Sequence, residues 1–198
     1  MSIDAKDRIM KDIKRINRSN DLKENGIYVW FNEENIFNSR ALIIGPPDTP
    51  YHNGYYLFDI NFPKDYPQTP PKVLFCTLDK AWRANPNLYK DGKVCLSIIG
   101  TWQGPQWTPC LSLSTVLLSI QSMVLGGGNG HPIQNEPGWE QETGKKSKDY
   151  NILLRYHNLR VAVLKMIIDT PPCFEYFKTI MIDHFMENRF TFLKYLVS

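Results

Sequence analysis

The 198-residue chain has four cysteines, Cys76, Cys95, Cys110 and Cys173, and one of them is placed for chemistry. Cys95 follows a polar, turn-rich approach (Asn85, Pro86, Asn87, then Lys90, Asp91, Gly92) and precedes the apolar run Leu96 to Ile99. That placement predicts a thiol presented at the end of a loop. Free cysteine also buries readily as a small hydrophobe, so an inert core residue is the plain alternative. A thiolate attacks an acyl carbon well and leaves it well, so one side chain serves both halves of an acyl transfer. The histidines, His52, His131, His157 and His184, are all remote from Cys95 in sequence. A thiol without a base is only a few per cent ionised at neutral pH, so an acyl donor must bring its own driving force. A cysteine hydrolase would need a histidine brought beside Cys95 by the fold, whereas the local pattern offers asparagine and tyrosine.

The run Asn85-Pro86-Asn87-Leu88-Tyr89, with Gly92, Val94-Cys95-Leu96 and then Trp107-Thr108-Pro109, resembles the active-site segment of ubiquitin-conjugating (E2) enzymes. That segment usually opens His-Pro-Asn; here Asn85 replaces the histidine, and an extra stretch separates Cys95 from Trp107. Both departures resemble the Z-type E2s and related domains inside some giant ubiquitin ligases. The resemblance runs from about residue 4 to about residue 169. It implies an α+β ubiquitin-conjugating (UBC) fold: an N-terminal helix, a four-stranded antiparallel meander and C-terminal helices. It also implies an E2 that takes ubiquitin or a ubiquitin-like modifier from an E1 activating enzyme as a thioester on Cys95. The modifier then passes to a substrate lysine or an E3 ligase cysteine. ATP and magnesium would belong to the E1, leaving this chain with no metal or organic cofactor of its own.

The same resemblance distributes roles. Asn87 becomes an amide donor to the oxygen that turns negative when an amine attacks the thioester, or else a brace for the loop before Cys95. Asn85 is a structural hydrogen-bonding residue. Tyr89, Ser97 and Glu136 fall where E2s shape the channel for the incoming lysine; Glu136 either orients that lysine or is simply a solvated acid. Thr115 and Leu118 lie on the helix face that holds thioester-linked ubiquitin, unless Leu118 is core. Lys6, Lys11, Lys14 and Arg15 on the first helix face the E1 and E3 partners or merely the solvent. Gln68, Pro109 and Cys110 lie on the E3-binding loops. Gln68 stands where ligase-responsive members carry an aromatic residue and Cys110 where they carry alanine, which implies a different ligase selectivity. The Thr101 to Gln106 insertion, with Trp102, either adds to that selectivity or caps the core.

The elements that must position these residues follow from periodicity. Residues 4–18 are predicted helical, capped by Asp4, with Ile9, Met10, Ile13 and Ile16 as the buried stripe. Strands are predicted over Ile27 to Phe31, Ile36 to Gly45, Tyr55 to Phe62 and Lys72 to Cys76. Tyr56, Phe58, Ile60 and Phe62 alternate against Leu57, Asp59 and Asn61, which predicts a sheet covered on one face. Proline stiffens the loops from Gly45 to Gly54 and from Phe62 to Pro71. A helix is expected over Leu111 to Leu125, ended by the glycines at 126–128 and followed by a loop to Gly138. A last helix, Ser147 to Asp169, carries Leu153, Leu154, His157, Val161, Leu164 and Ile168. The catalytic domain is assigned to residues 1–170 and a helical extension to 171–198, beyond Pro171-Pro172.

The totals bound the rest. Hydrophobic residues make up 42% of the chain, enough for one sizeable core. The 23 Lys and Arg against 20 Asp and Glu leave +3, too weak a field to argue for a nucleic-acid partner. With neither a signal-like segment nor a membrane-length apolar run, the expectation is a cytoplasmic or nuclear protein that needs no membrane. The cysteines lack the close pairs of a zinc site, and reduced thiols are expected. The rival class is a catalytically inactive E2-like scaffold that binds ubiquitin or ligases; the presence of Cys95 argues against it.

Overall fold

The computed structural model describes residues 4–79 and 82–197, with side chains throughout except at 128–129 and 193–197; the ends of the expected ranges at 1–3 and 198 lie outside these residues. Helix α1 (Ala5–Arg18) opens on Asp4, whose carboxylate accepts the Lys6 N–H at 3.2 Å. Its inner face holds Ala5, Ile9 and Asp12, with Ile13 and Ile16 packed half-buried beside them. Met10 is 40% exposed, contrary to the expected stripe. Asp12 takes the inward place because it has partners there: the Arg8 Nε at 3.2 Å and the Tyr66 hydroxyl. A buried carboxylate is tolerated when it is paired and hydrogen-bonded.

After a short α2 (Asp21–Glu24) come β1 (Ile27–Phe31), β2 (Asn38–Ile44), β3 (Tyr55–Asn61) and β4 (Lys72–Phe75), an antiparallel sheet in the order β1-β2-β3-β4. Register puts Val29, Ala41, Phe58 and Phe75 in one cross-strand row, since each faces the next. With a side-chain period of two, the row Tyr28, Leu42, Leu57 must face the other way. The first row lies on the main core, against Leu113, Val116, Leu117 and Ile120 of α3 (Leu113–Ser119) and the wide turns Ile120–Leu125 that continue it.

The second row is buried as well, so the expectation of one covered face is corrected. α5 (Lys145–His157) runs through the wide turns Asn158–Lys165 into α6 (Met166–Ile168), a tight turn over Pro172–Phe177, and α7 (Lys178–Val197). Val163, Met166, Phe174, Phe177, Met181 and Phe192 from this stretch cover Leu42, Ile44, Tyr55 and Leu57. Trp30 stacks on Tyr176 at 4.3 Å, and Tyr55 donates to the Met181 carbonyl at 2.8 Å. Asp59 and Asn61, which made that face read as solvated, sit at one end of it; Asp59 is paired there with Arg40 at 3.4 Å. The other end is apolar.

Two helix details also differ. Gly126 stays right-handed (φ −76°) and the chain continues into α4 (Gly127–Gly130), so the break falls at Gly130, whose φ is +85°. In the last helical stretch Leu153, Leu164 and Ile168 are exposed while Leu154, Val161, Ala162, Val163 and Met166 are buried. The wide turns between 158 and 165 hold more residues per turn than an α-helix and rotate the apolar stripe away from its 3.6-residue phase.

Candidate active site

Between β4 and α3 the chain has little regular structure, and backbone bridges hold it in place. Phe75 donates to the Gly92 carbonyl at 2.8 Å, and Leu74 and Leu88 pair with Lys93 and Val94. Gly92 has φ +90°, and a Cβ there would lie 3.0 Å from the Phe75 oxygen, so the turn beside the sheet edge demands glycine.

Cys95 follows at once, and it is only 1% exposed. Cys95 does stand at the end of the loop, just ahead of the turn Ser97–Ile99, but the expectation that it is presented there is corrected to a buried residue. The physical reason is that its backbone is pinned to the body of the protein. Its N–H donates to the Asn87 carbonyl at 2.8 Å, and its own carbonyl accepts the Asn87 side-chain amide at 2.8 Å. Asn87 thus braces the loop with one amide N–H, and a second remains on the same nitrogen. Asn85 anchors this brace from beneath. Fully buried, it donates to the Tyr51 hydroxyl at 2.7 Å and the Val124 carbonyl at 2.9 Å, and it accepts the Asn87 N–H at 2.8 Å.

Around the thiol the other expected residues divide. Tyr89 is half-buried with the Arg83 guanidinium 4.0 Å over its ring, and Arg83 also meets Glu136 at 3.5 Å. Tyr89 and Glu136 are therefore joined through an arginine that sequence reasoning did not single out; nothing in its local sequence signals the role. Glu136 is ion-paired rather than merely solvated. Ser97 is 7% exposed, and Gly104 of the insertion folds back so closely that a Cβ there would lie 3.1 Å from the Ser97 Cβ. Trp82, Arg83, Pro86, Glu136, Tyr150 and His157 line a cleft of about 470 Å³ beside this cluster. Burial pushes the Tyr150 hydroxyl up to about 12, with the Arg83 charge opposing and Glu136 adding. Leu118 is exposed rather than core, while Thr115 pairs with Ser112 in the cap of α3.

The histidines are occupied elsewhere. His131 meets Ser147 Oγ at 2.7 Å, His157 stacks on Trp82 at 4.8 Å, and His184 meets the Tyr55 hydroxyl at 3.1 Å. His52 lies near Asp48, with its backbone carbonyl accepting from Asn158 at 3.0 Å. Among the described residues no group of three or more His, Cys, Asp or Glu is arranged to hold a metal ion.

The expected partner-facing residues come together. Arg8 of α1 donates to the carbonyls of Pro109 at 2.7 Å and Leu111 at 2.5 Å. The Trp107 indole donates to the Pro67 carbonyl at 2.7 Å. These bonds set the exposed side of α1, with Lys6, Lys11, Lys14 and Arg15, beside the loops that carry Gln68, Pro109 and Cys110, and all seven residues are exposed.

A helix, a four-stranded meander and a cysteine braced by an Asn-Pro-Asn turn ahead of a central helix are the arrangement that the sequence resemblance implied. A family model described as "Ubiquitin-conjugating enzyme" matches residues 8–156, and the chain belongs to the ubiquitin-conjugating enzyme family. Within it, the chain is 43% identical over 182 residues to ubiquitin-conjugating enzyme E2 Z of Homo sapiens, covering 91% of this chain and 49% of that protein. The Xenopus tropicalis E2 Z gives the same identity over 91% of this chain and 56% of the relative. The dual E2 ubiquitin-conjugating enzyme/E3 ubiquitin-protein ligase BIRC6 of Homo sapiens is 41% identical over 82% of this chain, which spans 3% of its length. The chain thus spans about half the length of the E2 Z relatives it matches. Among the described residues no helix is long and apolar enough to cross a membrane.

Proposed function

We propose that this chain is an E2 that carries ubiquitin, or a ubiquitin-like modifier, as a thioester on Cys95. It receives the modifier from an E1 and passes it to a substrate lysine or an E3 cysteine. The observation that carries this reading is the brace at the thiol: both backbone groups of Cys95 are held by Asn87, whose remaining amide N–H is available to the oxygen of an acyl group on that sulfur. Tyr89, Ser97 and Glu136 border the approach of the acceptor lysine, with Arg83 holding Glu136 in place. Thr115 and Leu118 face the carried modifier. Lys6, Lys11, Lys14, Arg15, Gln68, Pro109 and Cys110 form the surface for E1 and E3.

On this reading ATP and magnesium act on the E1 and this chain needs no cofactor. The same reading has the chain work in the cytoplasm or nucleus, where thiols such as Cys95 are kept reduced. Residues 1–170 serve as the catalytic domain and 171–198 as an extension, of which Phe174, Phe177, Met181 and Phe192 cover the sheet. The test is a charging assay with E1 enzymes, ATP and a panel of tagged modifiers, resolved with and without reductant. A thiol-sensitive adduct on the wild type that becomes a thiol-resistant ester, or vanishes, in Cys95→Ser is expected. A folded protein that binds ubiquitin and never charges would replace the carrier with the scaffold.

A further inference from the structure

Thr101 is named by sequence only as the first residue of the insertion, yet it touches the chain on both sides of Cys95. In extended backbone a residue's own N–H and C=O face one side, and the C=O before it and the N–H after it face the other. The N–H and C=O of Cys95 itself both face Asn87, at 2.8 Å each. The preceding carbonyl, of Val94, and the following amide, of Leu96, both meet one hydroxyl instead. Thr101 Oγ1 donates to the Val94 oxygen at 2.6 Å and accepts from the Leu96 N–H at 2.9 Å. The Thr101 backbone N–H closes the turn on the Leu96 carbonyl at 3.3 Å.

A hydroxyl suits this bridge because it carries one donor and two acceptor lone pairs, so it satisfies a carbonyl and an amide at once. Val94, Cys95 and Leu96 are 1%, 1% and 3% exposed, which leaves little room for water to substitute for a lost partner. Without the hydroxyl the segment must move to satisfy its buried groups. Such a shift reaches Asn87 as well, because the Asn87 amide is bonded to the Cys95 carbonyl.

We infer that Thr101 is a positioning residue for acyl transfer: with Asn87 it clamps the two peptide groups on either side of Cys95, so that thiol and amide donor keep one geometry. The inference rests on the carrier reading above. In the step concerned a neutral lysine amine attacks the thioester carbon and the C–N bond forms. The C–S bond then breaks with its electron pair returning to the Cys95 sulfur, and the nitrogen gives its extra proton to solvent. The clamp acts on that step by fixing the sulfur and the Asn87 amide relative to each other.

The experiment compares wild type, Thr101→Val and Thr101→Ser. Each is charged by an E1 with whichever modifier loads the wild type, quantified as thioester and chased with free lysine over a range of concentrations. Thr101→Val keeps the volume and loses all three contacts of the hydroxyl, to the Val94 oxygen at 2.6 Å, the Leu96 N–H at 2.9 Å and the Leu96 oxygen at 3.1 Å. Its maximal discharge rate per thioester is expected to fall roughly tenfold, with the half-saturating lysine concentration unchanged. Thr101→Ser keeps the hydroxyl and should discharge near the wild-type rate. A purely structural threonine would lower the melting temperature of Thr101→Val and leave its rate per thioester alone, which overturns the inference. So does a Thr101→Ser variant as slow as Thr101→Val. If the wild type accepts no modifier, the carrier reading itself falls and the positioning role falls with it. If the wild type charges and Thr101→Val discharges normally, only the clamp falls.

Discussion

The side chain of Asn87 donates to the backbone carbonyl of Cys95 at 2.8 Å, so the residue expected to face the reaction is also part of the structure that holds the thiol. The two roles raised by the sequence coexist in one amide group, because an NH₂ has two hydrogens. Asn87→Ala removes both. Charging of Cys95 should persist, since the sulfur is untouched, while discharge to free lysine should drop on the order of 10² to 10³-fold if the second N–H meets the oxyanion. The check is a single-turnover chase of the preformed thioester beside a thermal melt. A melt lowered by several degrees with an unchanged discharge rate would leave Asn87 as a brace alone.

Asn85 presents the opposite case, a residue of the same type whose whole amide is spent on structure. Replacing it with alanine orphans the Tyr51 hydroxyl and the Val124 carbonyl, and Tyr51 is fully buried. Leaving a buried polar group unpaired costs about 1–3 kcal/mol each. Asn85→Ala is therefore expected to lose roughly 2–5 kcal/mol by urea unfolding. A loss under about 0.5 kcal/mol, typical of a surface change, would mean that the hub is not holding the loop.

Five tyrosines, Tyr51, Tyr55, Tyr56, Tyr66 and Tyr150, have hydroxyls raised above their ordinary value, in each case first by burial. A raised folded value means that the unfolded chain releases its protons first. The stability is complete below the unfolded value of about 10 and drains away as pH rises through the folded values, at about 1.4 kcal/mol per pH unit for each tyrosine. On the acid side burial lowers His52, His157 and His184, so their contribution is lost as pH falls through about 6.5. Urea midpoints should be flat from pH 7 to about 9 and collapse above about 10. A midpoint at pH 11 equal to that at pH 8 would contradict the burial of these hydroxyls.

Aromatic and branched residues divided by turn formers made the four strands legible to within about two residues at each end. The thiol motif was legible because its residue types recur together in one family. What the sequence concealed was decided by partners distant in the chain. The stripe expected Met10 inward, and only Arg8 and Tyr66 beside Asp12 show why the acid takes that side instead. Cys95 reads as exposed until the Asn87 brace pins its backbone, and the Thr101 hydroxyl takes up the flanking peptide groups. For Glu136 the sequence leaves open a lysine-orienting acid or a solvated one, and only the fold shows Arg83 beside it from a separate loop. The outer sheet face mixes Asp59 and Asn61 with Leu42, Ile44 and Leu57, and only the path of the last helices shows which of them decides its fate.

That path gives the last prediction. Phe174 is 1% exposed and joins Phe177 and Met181 over Leu42 and Leu57, with Arg40 5.7 Å over its ring. Phe174→Ala leaves a cavity between the sheet and the segment that covers it, and deletions of this kind cost about 3–5 kcal/mol. Tyr176→Phe is the milder control: it keeps the stack on Trp30 and removes only the hydroxyl that accepts from Arg40 at 2.5 Å. An exposed bond of that type contributes about 1 kcal/mol or less. If the covering segment folds together with the sheet, Phe174→Ala lowers the single urea midpoint of the whole protein and Tyr176→Phe scarcely moves it. If the segment is instead a separately melting appendage, Phe174→Ala would release it first, seen as an early transition in hydrogen exchange confined to residues after Thr170, while the sheet amides of β2 and β3 keep their protection.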